Sequence, residues 1–265
     1  MRSRLALRGV AFGYLLLILA APVGMVFYRA LEHGLGVFWA SISDPQATHA
    51  LWLTVLIALI AVPLNTVFGV ALSLAIVRRK FPGKGLVNAF VDLPLALSPV
   101  VVGLAMLLLY GRQGWLGPWF TDHGLRIVFA LPGMVLATIF ISLPFVVREV
   151  VPILREIGDE QEQAASTLGA NAFQTFRRVT LPAIRWGIAY GVVLTAARSL
   201  GEFGAVNVVS GRIEGKTETA TLYIDAAYTD FNQRGAYAVS VVLAVISILI
   251  LVAMSIFKPK EEVGS

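Results

Sequence analysis

The sequence predicts an all-α membrane protein with six transmembrane helices. The chain has 265 residues, of which 57% are hydrophobic and only 14% charged, and its mean hydropathy is +0.79. A soluble domain of this length would expose far more charge. Six apolar stretches reach the length of about twenty residues that a helix needs to cross a bilayer, namely Gly9–Tyr28, Ala50–Val77, Leu86–Tyr110, Ile127–Val147, Ile188–Val209 and Tyr237–Phe257.

The first stretch follows three arginines and so resembles a secretory signal peptide. Its apolar part is too long for one and no small-residue cleavage site follows, so we expect a retained helix. Lysines and arginines concentrate in every second connection, which places both termini and the 158–182 segment in the cytoplasm. The excess of 21 basic over 16 acidic residues therefore reflects topology, and we predict no nucleic-acid partner.

Polar residues and prolines interrupt the middle spans. The stretch Asp92–Pro99 contains two prolines, which remove backbone donors and should kink or unwind the third span. Freed carbonyls are tolerated at membrane depth only when they are buried in protein or face a cavity. This predicts either a substrate pathway lined by Ser98 and Pro99 or a simple packing kink. Hydrogen bonding between helices is the role expected of Asn65 and Ser142.

The fifth span contains charged residues, which are costly in lipid and need a reason. Arg198 and Glu202 are four residues apart, so one helix face would carry both and they could pair. Thr195 lies on the same face, and Ser199 is next to the arginine. We predict that this face looks into the bundle or a water-filled path. Two roles fit, namely lining a pathway in which a cation favours an anion, and a structural ion pair that locks two helices.

The 158–182 segment is the longest polar interruption of the chain, and it predicts a helix, a glycine bend and a second short helix. Asp159 and Glu162 have the spacing of a capping box. Gly169 marks the bend, and Asn171 offers a second N-cap. Small residues around the bend would let another backbone approach closely. The plainer alternative is an amphipathic surface helix between spans.

Several kinds of site are excluded by the sequence. Cysteine is absent, which excludes disulfides, thiolate metal sites and cysteine nucleophiles. The three histidines lie apart in connecting segments, without metal-ligand spacing. Gly211–Thr217 resembles a phosphate-binding loop but has three rather than four residues between its glycines. We therefore expect no catalytic residue, no metal and no cofactor bound by this chain.

The 158–182 segment also resembles the EAA loop of ABC importer permeases, which reads E-A-A-x-x-x-G and later an aliphatic residue, any residue and Leu-Pro. The matching residues are Ala164, Ala165, Gly169, Val179, Leu181 and Pro182. Gln163 replaces the usual glutamate, and the acid stands one position earlier at Glu162. DLPLALSPVVVG, LPFVVREVVP and ARSLGEFGAVNVVSG further resemble sulfate/thiosulfate permeases, the last being more similar to CysW-type than to CysT-type subunits.

This resemblance implies a type I ABC importer permease (MetI-like) bundle with a cytoplasmic coupling helix. Residues 1–48 would hold the N-terminal segment, the first helix and the first outside loop, residues 49–257 the permease core, and residues 258–265 a cytoplasmic tail. The ATPase-coupling residues would be Glu162, Gln163, Ala164, Ala165, Leu168 and Gly169. The substrate pathway would include Ser98, Pro99, Thr195, Arg198, Ser199 and Glu202.

The resemblance also implies partners in the inner membrane and on both sides of it. They are a CysT-type permease, two copies of a CysA-type ATPase that hold ATP and magnesium, and an extracytoplasmic sulfate/thiosulfate-binding protein. A molybdate or tungstate permease is the alternative, although those relatives tend to have Pro-Pro where this chain has Ser98-Pro99. A secondary anion transporter is a more distant alternative, since the inverted repeat usual there is not evident in the sequence.

Overall fold

The computed structural model describes residue 10, residues 13–14 and residues 16–257, with side chains up to residue 253. Within that part every regular element is a helix. A π-helical turn, Leu16–Ala20, leads into α1, and a second one, Phe176–Thr180, leads into α10. The helices are α1 Ala21–Leu31, α2 Leu35–Ile42, α3 Pro45–Arg78, α4 Lys84–Ala96, α5 Pro99–Tyr110, α6 Gly117–Asp122, α7 Leu131–Glu156, α8 Glu160–Thr167, α9 Ala172–Thr175, α10 Leu181–Leu200, α11 Gly204–Ser210, α12 Ala220–Thr229 and α13 Gln233–Phe257.

The described helices provide four membrane spans, or six if each of two bent pairs counts as one. The four are α3, α7, the run Ala172–Leu200, and Gln233–Ala253 within α13. The bent pairs are α1 with α2, at 93°, and α4 with α5, at 114°. The six predicted stretches thus correspond to observed elements, although the start of the first lies outside the described residues.

The centre of the bundle is formed where α3, α7 and α10 cross. Their shared apolar cluster consists of Val70, Val146, Val150, Leu154 and Ile184. Glycine makes the crossing possible, because a Cβ on Gly69 would lie 2.7 Å from Val146 Cβ and one on Gly191 would lie 2.8 Å from Val146 Cα. The helices therefore pack closely. The Gly69 backbone lies against the Val146 side chain and the Gly191 backbone against the Val146 backbone, at distances that leave no room for a larger side chain.

Among the described residues, two of the three further apolar clusters attach α5, α11, α12 and α13. One joins α5 and α11 to α3 and α7, and includes Val102, Met134 and Val206. The other joins α12 and α13 to the start of α3, and includes Ala47 and Tyr223. The bent pair α4–α5 thus packs beside the central crossing, and α11 follows the end of α10, which is part of it.

The fourth span differs from its predicted bounds. α7 both begins and ends later than the predicted Ile127–Val147. Arg148, just past the predicted end, donates from Nε to Asp92 Oδ1 of α4 at 2.7 Å, so its charge is paired and the helix continues. This ion pair links α4 to α7.

The fifth span also differs from prediction. The helix does not run on to Val209 but ends at Leu200, and a separate short helix, α11, follows. The connection from Gly211 to Gln233 contains α12, which packs on α3 and α13. His49, predicted to lie in a connection, is part of α3.

The predicted hydrogen bond between helices is confirmed. Asn65 Nδ2 of α3 donates to Ser142 Oγ of α7 at 2.8 Å and to the Ile139 carbonyl at 3.2 Å. Both side chains are fully buried. A buried amide needs such partners, because leaving it unpaired costs about 1–3 kcal/mol.

Candidate functional site

The 158–182 segment folds as the predicted helix, bend and helix at one end of the bundle. α8 ends at Thr167, and Gly169 has a φ of +87°, in the left-handed region that favours glycine. The second N-cap is confirmed as a capping box. Asn171 Oδ1 accepts the Gln174 N–H at 2.9 Å, and Gln174 Oε1 accepts the Asn171 N–H at 2.9 Å.

The first predicted capping box is wrong. Asp159 stands at the N-cap of α8, but its side chain makes no capping hydrogen bond. Glu162 instead faces the bundle. Its Oε2 lies 2.9 Å from Arg78 Nε, and its Oε1 accepts hydrogen bonds from Arg78 Nη2 at 3.2 Å and from Thr180 Oγ1 at 2.8 Å. A guanidinium partner outcompetes the backbone N–H because charge-assisted, bidentate hydrogen bonds are the stronger ones.

The position of Arg78, the last residue of α3, was not predicted from the sequence beyond its share in the positive charge on one side of the membrane. Its partner Glu162 is 84 residues away along the chain, and no local pattern signals a contact of that kind. The nearest sequence signal is the acid of the EAA motif standing one position early, which turns Glu162 rather than Gln163 toward the bundle.

Apolar side chains on the outer side of this segment are exposed. Leu168 is 89% exposed and Phe173 is 69% exposed. Gln163 and Ala164 are exposed beside them, and a Cβ on Gly169 would meet no atom within 4 Å. These five residues form what we call the loop surface. Ala165 is half-buried beneath it.

The two stretches predicted to line a pathway are adjacent in space. α4 ends at Ala96 and α5 begins at Pro99, so the predicted unwinding is confirmed and takes the form of a sharp bend. α10 ends at Leu200 and α11 begins at Gly204. A Cβ on Gly204 would lie 2.7 Å from Pro99 Cβ, so the two breaks touch. Ser98, at the first break, is exposed.

Glu202 holds the second break together. Its side chain is buried, and Oε1 accepts the Ala205 N–H at 2.9 Å, so the carboxylate caps α11. Oε2 lies 2.7 Å from Arg198 Nη1. The predicted pair is therefore confirmed, although Glu202 lies past the end of α10 and not on a continuous helix. Arg198 remains 30% exposed, so it presents positive charge at the surface of the break.

Thr195 and Ser199 are both buried on α10, in the turns before the break. Ser199 Oγ donates to the Thr195 carbonyl at 2.7 Å, so this hydroxyl is used within the helix. Thr195 Oγ1 is buried without a hydrogen-bond partner among the described residues. A buried hydroxyl without a partner is unusual and costs free energy. The Thr195 hydroxyl is therefore a buried polar group that the described fold leaves without a hydrogen bond.

A buried carboxyl lies at the opposite end of the bundle, in the connection before α12. Glu218 is 4% exposed. Burial, and after it the negative charge of Glu214, raises the pKa of Glu218 above its ordinary value, while Arg212 and His49 act in the opposite direction. The nearby Gly211–Thr217 stretch is the one whose glycine spacing does not fit a phosphate-binding loop. There Thr217 Oγ1 accepts the Ile213 N–H at 3.1 Å, so this hydroxyl serves the turn.

Residues 66–262 match the family model described as binding-protein-dependent transport system inner membrane component. The chain belongs to this family. A sulfate transport system permease protein CysW of Synechococcus elongatus is 50% identical over 97% of this chain and 90% of the relative. A sulfate transport system permease protein CysT of Escherichia coli is 36% identical over 93% of this chain and 89% of the relative. The predicted CysW-type resemblance is thereby confirmed.

Solved structures place the fold of this family member among ABC transporters. A bacterial ABC transporter involved in the import of the acidic polysaccharide alginate aligns with a TM-score of 0.78 and 18% identity, over 96% of this chain and 94% of that one. The bacterial alginate ABC transporter in complex with an alginate pentasaccharide-bound periplasmic protein aligns at 0.76 and 19% identity, over 94% and 91%. The predicted fold class, a type I ABC importer permease bundle, is confirmed.

The permease is therefore a multi-pass inner-membrane protein. The division at residues 48 and 257 stays a prediction. The roles of the ATPase-coupling residues and of the substrate-pathway residues also stay predictions. The structure gives the positions and contacts of these residues.

Proposed function

We propose that this permease forms the anion pathway of an ATP-driven importer for sulfate and thiosulfate. The observation that carries the proposal is the 50% identity to a CysW sulfate permease over 97% of the chain, against 36% to a CysT permease. We further propose that a CysT-type permease is its partner and that an external binding protein delivers the anion. Two CysA-type ATPase subunits would bind ATP and magnesium, since nothing in this sequence predicts a nucleotide site.

We assign the two ends of the helix bundle to the two sides of the membrane by their charge. Basic residues cluster on the side that carries the loop surface, which supports a cytoplasmic position for that surface and for both termini. The exposed apolar side chains of Leu168 and Phe173 are unusual for a water-facing loop and suit the groove of a partner protein. The loop surface is accordingly proposed as the docking site for an ATPase subunit.

The pathway is proposed to run along the two touching breaks. Arg198 presents partly exposed positive charge there, held by a buried carboxylate, which favours an anion without leaving a free charge in the membrane. Irregular backbone at that depth also provides polar groups that a continuous helix would hide. In the proposed cycle, ATP binding closes the ATPase pair, moves the docked loop and opens the pathway outward, and hydrolysis resets it.

Uptake of labelled sulfate by cells with and without the gene tests the proposal, with thiosulfate and molybdate as competitors. We expect uptake to be lost with the gene and to be competed far better by thiosulfate than by molybdate. If sulfate uptake is unchanged and molybdate accumulation is lost, the substrate assignment is wrong and the molybdate alternative holds. If neither changes, the proposed function fails.

A further inference from the structure

Arg78 is bonded to three separate parts of the chain at the loop end of the bundle. Its Nη1 donates to the Leu154 carbonyl at 3.0 Å and its Nη2 to the Gly158 carbonyl at 2.7 Å. Its Nε and Nη2 also hold the two carboxylate oxygens of Glu162. Thr180, buried at the start of α10, donates to the same carboxylate. One guanidinium and one carboxylate thus join α3, α7, α8 and α10.

The carbonyl contacts have a clear physical role. The last carbonyls of a helix have no partner within the helix, and a cation at that end is favoured by the helix dipole. Arg78 meets this need for α7, because Leu154 belongs to its final turns and Gly158 follows its end. The side chains of Arg78 and Glu162 are only 17% and 21% exposed, so water screens the pair weakly.

Three of the joined helices, α3, α7 and α10, form the tight crossing at the glycines. Sliding there would force the Gly69 and Gly191 backbones against Val146. α8, by contrast, has no buried residue of its own. Glu162 is therefore the main polar link between α8 and the rigid crossing.

We propose that Arg78 is a positioning residue and that Arg78 and Glu162 form a clamp that transmits movement of the loop surface to the crossing of α3, α7 and α10. Glu162 then serves as an internal anchor and not as a contact to the ATPase subunit, which meets Leu168 and Phe173 instead. The inference rests on the proposed function, since it presupposes a docked ATPase that moves the loop.

The test uses the complete complex in proteoliposomes, with partner permease, ATPase subunits and binding protein. The variants are Arg78→Gln, Glu162→Gln and the double variant. Arg79→Gln and Glu160→Gln are matched controls, because each removes the same charge from an exposed neighbour for which no side-chain contact is described. Three quantities are measured, namely ATPase subunits retained on purification, ATP hydrolysed, and sulfate imported per ATP.

We expect both single variants to retain the ATPase subunits and to import about fivefold less sulfate per ATP, at the low end of usual coupling between sites. The double variant should be no worse than Arg78→Gln, because that variant already lacks the ion pair and a glutamine at position 162 can still accept the Thr180 hydroxyl. Both controls should behave as the unaltered complex does.

Two results would overturn the clamp. Loss of ATPase subunits in Glu162→Gln alone would make Glu162 a direct contact to the ATPase. An unchanged ratio of sulfate to ATP in Arg78→Gln would show that the loop transmits movement without it. A general folding defect would lower hydrolysis and import together and leave the ratio unchanged, which also counts against the clamp. If the unaltered complex imports no sulfate, the proposed function fails instead.

Discussion

At the residue scale, the second helix break depends on how Glu202 distributes its two oxygens. One oxygen caps α11 and the other meets Arg198, so a single buried carboxylate stabilises the break and orients the charge beside it. The arginine is the only one of the two that reaches the surface of the break. We therefore assign the anion-facing role to Arg198 and the structural role to Glu202.

Arg198→Gln tests that assignment. We expect anion uptake to fall about tenfold or more, since a positive charge in a low-dielectric cleft raises local anion concentration and entry rate by such factors. The complex should still assemble, because the cap on α11 remains. Uptake kinetics and copurification of the partner subunits measure the two effects.

Arg185→Gln is the matched control, because Arg185 lies exposed on the same helix and its described contact is with the Trp186 ring. Normal uptake by Arg198→Gln would remove the arginine from the pathway. Loss of assembly would leave the pair a purely structural role.

Glu218 makes the stability of the opposite end depend on pH. Its pKa is raised in the folded protein, so folding favours the protonated form, and stability falls as the pH rises through that raised pKa. Glu218→Gln should therefore unfold at a higher temperature than the unaltered protein at neutral pH. The difference should shrink toward about pH 4.5, the ordinary value for glutamate.

Thermal unfolding of the detergent-solubilised protein across this pH range provides the measurement. Glu160→Gln, which removes a carboxylate from an exposed position, is the matched control. A Glu218→Gln variant that is less stable at neutral pH would mean that the carboxylate makes a favourable contact there.

At the scale of the element, the loop surface combines a rigid frame with exposed apolar tips. The bend at Gly169 and the capping box of α9 fix the directions of the two short helices. Leu168 stands at the bend with most of its side chain in solvent. A side chain placed in this way is suited to fill a pocket on a partner, where buried apolar anchors carry much of the binding free energy.

Leu168→Asp should weaken ATPase docking. A charge in an apolar pocket is costly, so we expect about 2 kcal/mol or more of lost binding, as for a residue at the centre of an interface. Copurification of the ATPase subunits measures it, with hydrolysis stimulated by the loaded binding protein as a second measure. Ile213→Asp, a half-exposed residue at the opposite end, is the control. Full retention of the ATPase in Leu168→Asp would contradict the docking role of the loop surface.

How far the elements could be predicted follows from the kind of signal each one has. Long apolar stretches predicted α3, α7 and α13, and two prolines predicted the bend between α4 and α5. The break after Leu200 could not be predicted in this way, because no proline marks it. The Glu202 carboxylate and contact with Pro99 hold it, and only the fold brings Pro99 near. The Arg78–Glu162 pair has the same origin, since its partners are distant in sequence.

At the scale of the whole molecule, the described helices form a tight crossing of α3, α7 and α10, with the bent pair α4–α5 beside it and a break at the end of α10. The crossing depends on glycine, and the interrupted spans touch each other at Gly204 and Pro99. Tightly packed helices beside interrupted ones allow a movement at one end of the bundle to open a path along the helix breaks.

Gly191→Leu tests the crossing. Its Cβ would lie 2.8 Å from Val146 Cα, and backbone cannot give way cheaply, so we expect a loss of about 1–3 kcal/mol of stability. Gly36→Leu is the matched control, since that glycine is also helical and has no atom within 4 Å of its Cβ position. Thermal unfolding of both variants is the measurement. Equal stability of the two would mean that the crossing is loose.

According to the proposed function, ATP on the cytoplasmic side drives an anion through this permease. Accumulation of labelled sulfate in proteoliposomes that hold the complete complex tests it most directly, with and without ATP and magnesium. We expect accumulation only with ATP, magnesium and the binding protein present, and much less with Arg198→Gln. Accumulation that follows an imposed ion gradient and ignores ATP would contradict the claim and favour a secondary anion transporter.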